Sequence, residues 1–330
     1  MHCELAVPAL FAAAPERRLP ALEMLLARAR ASACEPQSVE RWLLEAFGVE
    51  DDALPAGALT MLGEGAEPGG VRWTRADPVH LRLARGRLVM VPGAALSISR
   101  DEAASLCEAL NRHFAGVLQL VALRPESWSA RLEREFAIDA DSPLELAGRE
   151  VDLERARGAS PGSLQSLLNE AQMLLHAHPV NEAREARGEP AVNSLWLWGA
   201  GSLPQSAERR WHGVLADEPV ALGLARLAGA RHRPLPPSAA AWLERAPQDG
   251  RHLVVLDALR APFALSQAEA WREALLGLER QWFAPLLDAL RAGRLGMVTV
   301  HVPEAGASFE IIRGDLRRFW RRPRALQHYA

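Results

Sequence analysis

Three features of the sequence predict an α/β fold, with a mostly parallel sheet flanked by helices and a smaller inserted α+β subdomain. Strand-like runs alternate with helices through the C-terminal half, as in His252–Leu256, the amphipathic stretch Gln267–Arg291 and Met297–Val302. The apolar run Ser194–Trp198 ends in Gly199-Ala200-Gly201, the pattern of a covered strand entering a turn. Val117–Leu123 and Ser129–Leu132 are short strands set apart by polar sequence, as a second, smaller sheet requires. The resulting organisation places the first part of the core in 1–95, the insertion in 96–165 and the rest of the core in 166–330.

The elements follow in order. Leu22, Leu25, Leu26 and Ala29 recur at helical spacing within Leu19–Ala33, and Leu43, Leu44 and Phe47 do so within Val39–Phe47. A turn-rich patch, Gly63–Gly70, precedes alternating residues from Val71 to Leu83 that read as strands interrupted at Asp77-Pro78, and Leu88–Val91 is another short strand. Ser99 followed by Glu102 is a capping box opening a helix through Leu110. Arg155–Ser163 reads as a polar loop leading into a helix whose stripe is Leu167, Leu168, Ala171, Leu174 and Leu175. Pro179 breaks that helix, Asn181 is the expected N-cap of the next, and Gly188 is its C-terminal glycine. Helices at Val220–Leu227 and Ala239–Glu244 flank a proline-rich loop, Arg231–Pro237.

Composition removes several function classes. A chain of 330 residues, 49% of them hydrophobic, can bury a large core, with length favouring two domains or one domain with an insertion. A net charge of −3 gives no extended positive field, so nucleic acid and anionic membranes are not expected partners. The basic-aromatic run Arg317–Arg324 reads as a solvated face, with contact to nucleic acid or to an acidic partner as the alternatives. All 38 basic residues are arginine, so neither a lysine Schiff base nor a P-loop lysine is available. Cys3, Cys34 and Cys107 show neither metal-ligand spacing nor a disulfide framework. Without a basic leader or a long apolar run, the expected location is the cytoplasm.

Chemistry-bearing residues concentrate between Leu168 and Gly201. Asn169, His178, Asn181, Arg184 and Asn193 are expected to gather near the end of the strand Ser194–Trp198, the usual ligand position in an open α/β sheet. Gly199 and Gly201 leave room there for a ligand or another backbone. Arg75, Arg184 and Arg187 suit an anion through bidentate hydrogen bonds. Each residue also has a structural reading: Asn181 and Asn193 as turn caps, His178 on a carbonyl, and the arginines in surface ion pairs.

This segment resembles the archaeal-type, 2,3-bisphosphoglycerate-independent phosphoglycerate mutases. The likeness runs from Leu168-Asn169-Glu170 through His178-Pro179-Val180-Asn181, Arg187-Gly188 and Ala191-Val192-Asn193 to Gly199-Ala200-Gly201. Glu45-Ala46-Phe47-Gly48, Trp73-Thr74-Arg75-Ala76-Asp77 and Glu279–Leu290 continue it in the same order. The ending Leu195–Gly201 and the compact N-terminus look most like the RpfE-type bacterial regulatory proteins, an offshoot of that family. The resemblance implies a reduced alkaline-phosphatase-like scaffold and, in active members, phosphoryl transfer through a phosphoserine with two divalent metals.

Residue by residue, that chemistry is missing its parts. Glu4–Pro8 stands where the family has an N-terminal Asp-Gly, only Asp257 remains of an Asp-x-x-x-His pair, and Val300-His301 replaces an Asp-His pair. No serine has the family's surroundings, although Thr60 lies near an equivalent position. The resemblance and its gaps together imply a non-catalytic relative, without a metal or other cofactor, that binds a phosphorylated small acid or a protein partner in a regulatory or sensing role. Two other readings stand beside it. An active metal-dependent phosphoglycerate mutase or phosphotransferase would rebuild a Mn²⁺ or Zn²⁺ site from Asp77, His80, Asp257 and His301, and a structural or interaction protein would use Trp196 and Trp198 as anchors.

Overall fold

The computed structural model describes residues 1–51, 53–84, 87–134, 136, 138, 140–147, 161–245 and 249–329. They form two compact units, Met1–Glu50 with Ser206–Ala330 and Asp51–Gln205, hereafter unit one and unit two. The strands are β1 His2–Ala6, β2 Arg30–Ala33, β3 Trp73–Ala84, β4 Arg87–Pro92, β5 Leu118–Arg124, β6 Ser127–Leu132, β7 Ser194–Gly201, β8 Gly213–Leu215, β9 Arg231–Arg233, β10 Arg251–Val255, β11 Met297–Val302 and β12 Ala307–Ile312.

Unit one is built on a seven-stranded sheet in the order β2-β12-β11-β1-β10-β8-β9. The pairs from β11 through β1, β10 and β8 to β9 are parallel, and β12 and β2 complete one edge in antiparallel pairing. A mostly parallel sheet flanked by helices is therefore the architecture of this unit, as the alternation of elements predicts. Its apolar strand residues, such as Leu5, Val254, Val298 and Val300, pack with Leu22, Leu25, Trp271, Trp282 and Phe283 from helices.

Two elements of unit one depart from the periodicity. The first helix stops at Arg28, and Arg30–Ala33 becomes an exposed edge strand against β12. The helix's apolar stripe ends at Ala29, and the open backbone edge of β12 then offers Arg30–Ala33 a ladder. Strand β12 itself was not anticipated. The long amphipathic stretch is two helices, Ala268–Leu278 and Ala284–Arg291, joined by a π-turn at Glu279–Phe283. Pro285 cannot donate a hydrogen bond one turn back, and the wider turn absorbs the missing donor. Glu279 on that turn accepts from Ala21 N (2.7 Å) and Leu22 N (3.1 Å), free donors of the helix Pro20–Arg28.

Unit two is antiparallel. Strand β7 lies on one edge of β3, with β4 and β6 along the other and β5 beyond β6. The boundaries expected at 95 and 165 both fall inside this unit. Strands β3 and β7, assigned by sequence to the parallel core, pair with each other in the register Arg75↔Trp198 and Asp77↔Trp196. All eight residues of β7 are buried, and the helices Ala56–Gly63 and Pro161–His176 pack on it. A strand covered on both faces carries the same apolar run whether its neighbours are parallel or antiparallel.

Strand β3 runs unbroken through Asp77-Pro78, because proline costs a single ladder donor while its φ suits an extended chain. The Ser99–Glu102 capping box is present on the helix Arg100–His113. The break at Pro179 is present as well, but the side chain capping the helix Pro179–Ala186 is His178, whose Nδ1 accepts from Val180 N (3.2 Å). Asn181 lies within the first turn of that helix, and Gly188 follows its end at φ +73. The lead-in expected at Arg155–Ser163 lies outside the described residues as far as position 160. Among the described residues no helix is long and apolar enough to cross a membrane.

Candidate functional site

The segment that dominates the sequence turns inward in unit two. Asn181 donates to Leu175 O (2.7 Å) and Val192 O (2.8 Å) and accepts from Val192 N (2.8 Å). Asn193 clamps Leu81 in the same way, accepting from its N–H and donating to its carbonyl, each at 2.8 Å. In both, a side-chain amide substitutes for a strand neighbour and satisfies backbone groups that would otherwise be costly to bury. Arg184 is fully buried: Nε donates to Pro190 O (2.9 Å), Nη1 to Glu102 Oε2 (2.9 Å) and Nη2 to Leu96 O. Arg187 is half exposed and bridges Glu102 and Glu189, each at 2.8 Å. Burial alone would raise the Glu102 carboxyl, but the Ser99 N–H and the two arginines outweigh it and hold it below the ordinary range. The capping box and the central segment thus share one carboxylate.

Arg75 is turned inward too. Its Nη2 and Nε reach Asp77 Oδ1 at 2.5 and 3.2 Å, and Nη1 reaches Thr60 Oγ1 at 3.1 Å. Trp198 Nε1 donates to Asp77 Oδ2 (2.7 Å), and the guanidinium lies over the Trp198 ring, 5.3 Å from its centroid. At Gly199 and Gly201 an added Cβ would stand 2.5 Å from Ala56 Cβ and 2.7 Å from Pro55 Cβ. The close approach at these glycines is therefore made by the chain itself. Asn169 is exposed on its helix, away from these buried networks. The expected gathering at the end of a parallel strand does not form, because β7 belongs to the antiparallel sheet.

The alternative metal set does not assemble within either unit. Asp77 and His80 are three residues apart on one strand and so face opposite sides of the sheet. Asp77 is held by Arg75 and Trp198, and the His80 ring bonds Ala191 O (2.8 Å). Asp257 follows β10 and His301 lies in β11, with β1 between them, a separation of roughly 10 Å between backbones. His301 Nδ1 contacts Ser308 Oγ (2.8 Å), and its ring lies tilted against Trp42, the centroids 4.9 Å apart. Among the described residues no group of three histidine, cysteine, aspartate or glutamate side chains is arranged to hold a metal ion.

The chemistry that sequence reasoning missed sits in unit one, where the parallel strands end. Glu218 follows β8, Arg260 follows β10 and Glu304 follows β11, with Glu40 from the first turn of the helix Val39–Ala46. Carboxyl ends of parallel strands form the customary ligand crevice of such sheets. Here Arg260 Nη2 pairs with Glu40 Oε1 at 2.8 Å, with Glu40 buried and Arg260 largely so. Glu218 accepts from Val220 N (3.0 Å) and Ala221 N (2.6 Å), capping the helix Pro219–Leu227. Glu304 accepts from Ala9 N (3.3 Å), and Ala9, just past β1, has the left-handed φ of +59 that favours glycine.

The electrostatics of the four groups are joined. Burial opposes the charge on Arg260, but Glu40, Glu218 and Glu304 outweigh it and raise its pKa. Burial and the neighbouring Glu40 push Glu218 up to about 7, and burial raises Glu304 as well. The available signal was an ionisable residue within a few positions of each apolar strand end. What remained invisible was the pairing of Glu40 with a residue 220 positions away.

A pH dependence follows from Glu218. Its folded pKa exceeds its ordinary 4.5, so its contribution to stability is complete below about pH 4.5 and is lost as pH rises through about 7. The shift sets an upper limit of about 3 kcal/mol. Urea midpoints between pH 5 and 8 should fall more steeply for the wild type than for E218Q. Parallel profiles would place the Glu218 proton elsewhere.

No family model matches the chain. Over 143 residues it is 28% identical to a probable 2,3-bisphosphoglycerate-independent phosphoglycerate mutase of Geobacter sulfurreducens, a match covering 40% of this chain and 34% of that relative. Over 62 residues it is 34% identical to the 2,3-bisphosphoglycerate-independent phosphoglycerate mutase of Methanothrix thermoacetophila, covering 19% and 16%. The matches thus span about a third or less of these relatives' lengths. Among solved structures, a protein of Pyrococcus horikoshii aligns over 94% of this chain and 87% of its own with a TM-score of 0.57 at 15% identity, a likeness of fold. The chain is an α/β protein with weak homology to cofactor-independent phosphoglycerate mutases.

Proposed function

We propose that this protein is a non-catalytic, phosphoglycerate-mutase-like protein of the RpfE type, reduced from an alkaline-phosphatase-like scaffold and regulatory in role. One observation carries the reading. At the strand ends of unit one the positive charge facing the carboxylates is the chain's own Arg260, bonded to the buried Glu40 and coupled to the buried Glu218 and to Glu304. A guanidinium fixed on carboxylates cannot activate a nucleophile or accept charge from a phosphoryl group in transfer, the two services metals supply in such chemistry. The engagement of Arg75 and Arg184 inside unit two removes two cations that would otherwise suit a phosphorylated substrate. A regulatory role then operates through binding.

Thermal unfolding of metal-stripped protein tests this, because a ligand selective for the folded state raises its stability. Mn²⁺ and Zn²⁺ should leave the melting temperature unchanged. Stabilisation by 3-phosphoglycerate without metal assigns the regulatory role to a sensed acid, and its absence assigns that role to a protein partner. A metal-dependent rise, enlarged by 3-phosphoglycerate, overturns the proposal in favour of an active enzyme.

A further inference from the structure

The segment Arg313–Arg324 holds six arginines and one acidic residue, Asp315, within a chain of net charge −3. It is strapped to unit one from both sides. Arg318 Nη1 donates to Arg28 O (3.1 Å) and Arg321 Nη1 to Ala29 O (2.6 Å), carbonyls at the open end of the helix Pro20–Arg28. In return Arg28 donates to Leu316 O and Arg18 to Pro323 O (3.4 Å), while Arg324 N donates to Tyr329 Oη (2.9 Å). What the strapping presents outward is Phe319, 77% exposed, and Trp320, 66% exposed, their rings edge to face at 5.2 Å. Arg317 and Arg322 are exposed on either side of the pair.

We propose that this strapped segment docks an acidic protein segment bearing an apolar anchor residue. Adjacent exposed aromatics are uncommon on a surface with no partner, and tryptophan and arginine are the residue types in which interface energy concentrates. The arginines fix the sign of the partner and offer bidentate bonds to its carboxylates. The two rings stand at 82° to each other, and their exposed apolar surface suits an aliphatic side chain as the anchor. Successive nucleobases stack on ring faces instead, and a net negative chain lacks the extended field that polyphosphate binding draws on. Because the backbone is already held in place, docking carries little ordering cost. The proposal extends the regulatory reading and fails independently of it, since neither metal binding nor mutase turnover involves this segment.

The test is fluorescence anisotropy of a labelled short peptide alternating glutamate and leucine, titrated with the full chain. Oligothymidylate and phosphatidylserine vesicles serve as rival probes. Binding of the peptide is expected, weakened at least tenfold both in F319A/W320A and in R317E/R322E, with melting temperatures unchanged. Exchanging the peptide's leucines for serine should weaken it comparably. Absence of binding, equal affinity in the variants, or tighter binding of oligothymidylate or vesicles overturns the proposal.

Discussion

Replacing Arg260 by alanine is expected to destabilise unit one by about 3–5 kcal/mol, the cost of leaving a buried charge without its partner. Glu40 would lose its 2.8 Å ion pair while remaining 4% exposed, and its Oε2 already has no hydrogen-bond partner. Glu218 and Glu304 would lose the same positive neighbour. The pair itself need not be strongly favourable, since replacing both members of a buried pair with apolar residues is often neutral. The double variant R260M/E40L should therefore recover much of the stability lost in R260M. Urea unfolding followed by tryptophan fluorescence measures both. A loss below about 1 kcal/mol in R260A, the range of exposed ion pairs, would mean that water reaches the cluster.

Alanine at Arg184 is the second large effect, expected at about 3–5 kcal/mol in unit two. The substitution strips donors from Pro190 O and Leu96 O and leaves Glu102 with the Ser99 N–H and the half-exposed Arg187. Lysine should rescue little, because a point charge cannot aim donors in three directions as the planar guanidinium does. Arg187→Ala, at a half-exposed position, should cost about 1 kcal/mol or less. If the segment were a ligand site, the order would differ: Arg184→Ala would leave urea stability intact and abolish ligand-induced stabilisation. Chemical denaturation of the three variants separates these outcomes.

Local signals were legible where a short-range mechanism fixes them. Ser99 with Glu102, the break at Pro179 and the glycine at 188 each act over a few residues, and each is found. Strand β7 was visible as a buried run, but its partner was not, because Trp196 and Trp198 would suit a covered strand in either sheet. The density of polar residues from Asn169 to Asn193 was equally visible. Its use was hidden, because a clamp on a backbone residue and a contact to a ligand call on the same side-chain amide. Arg260 was visible only as an ionisable residue after an apolar strand; its pairing with Glu40 was not, since that relation exists only after the parallel sheet brings the strand ends together.

Interconversion of 3-phosphoglycerate and 2-phosphoglycerate, followed by phosphorus NMR on metal-stripped protein reloaded with Mn²⁺ or Zn²⁺, decides whether this protein is a catalyst. No interconversion above the uncatalysed rate is expected, and less than one tightly held metal ion per chain. Turnover that appears with metal and disappears with a chelator would contradict it, and would show that Arg260 and its carboxylates leave a working metal centre in place.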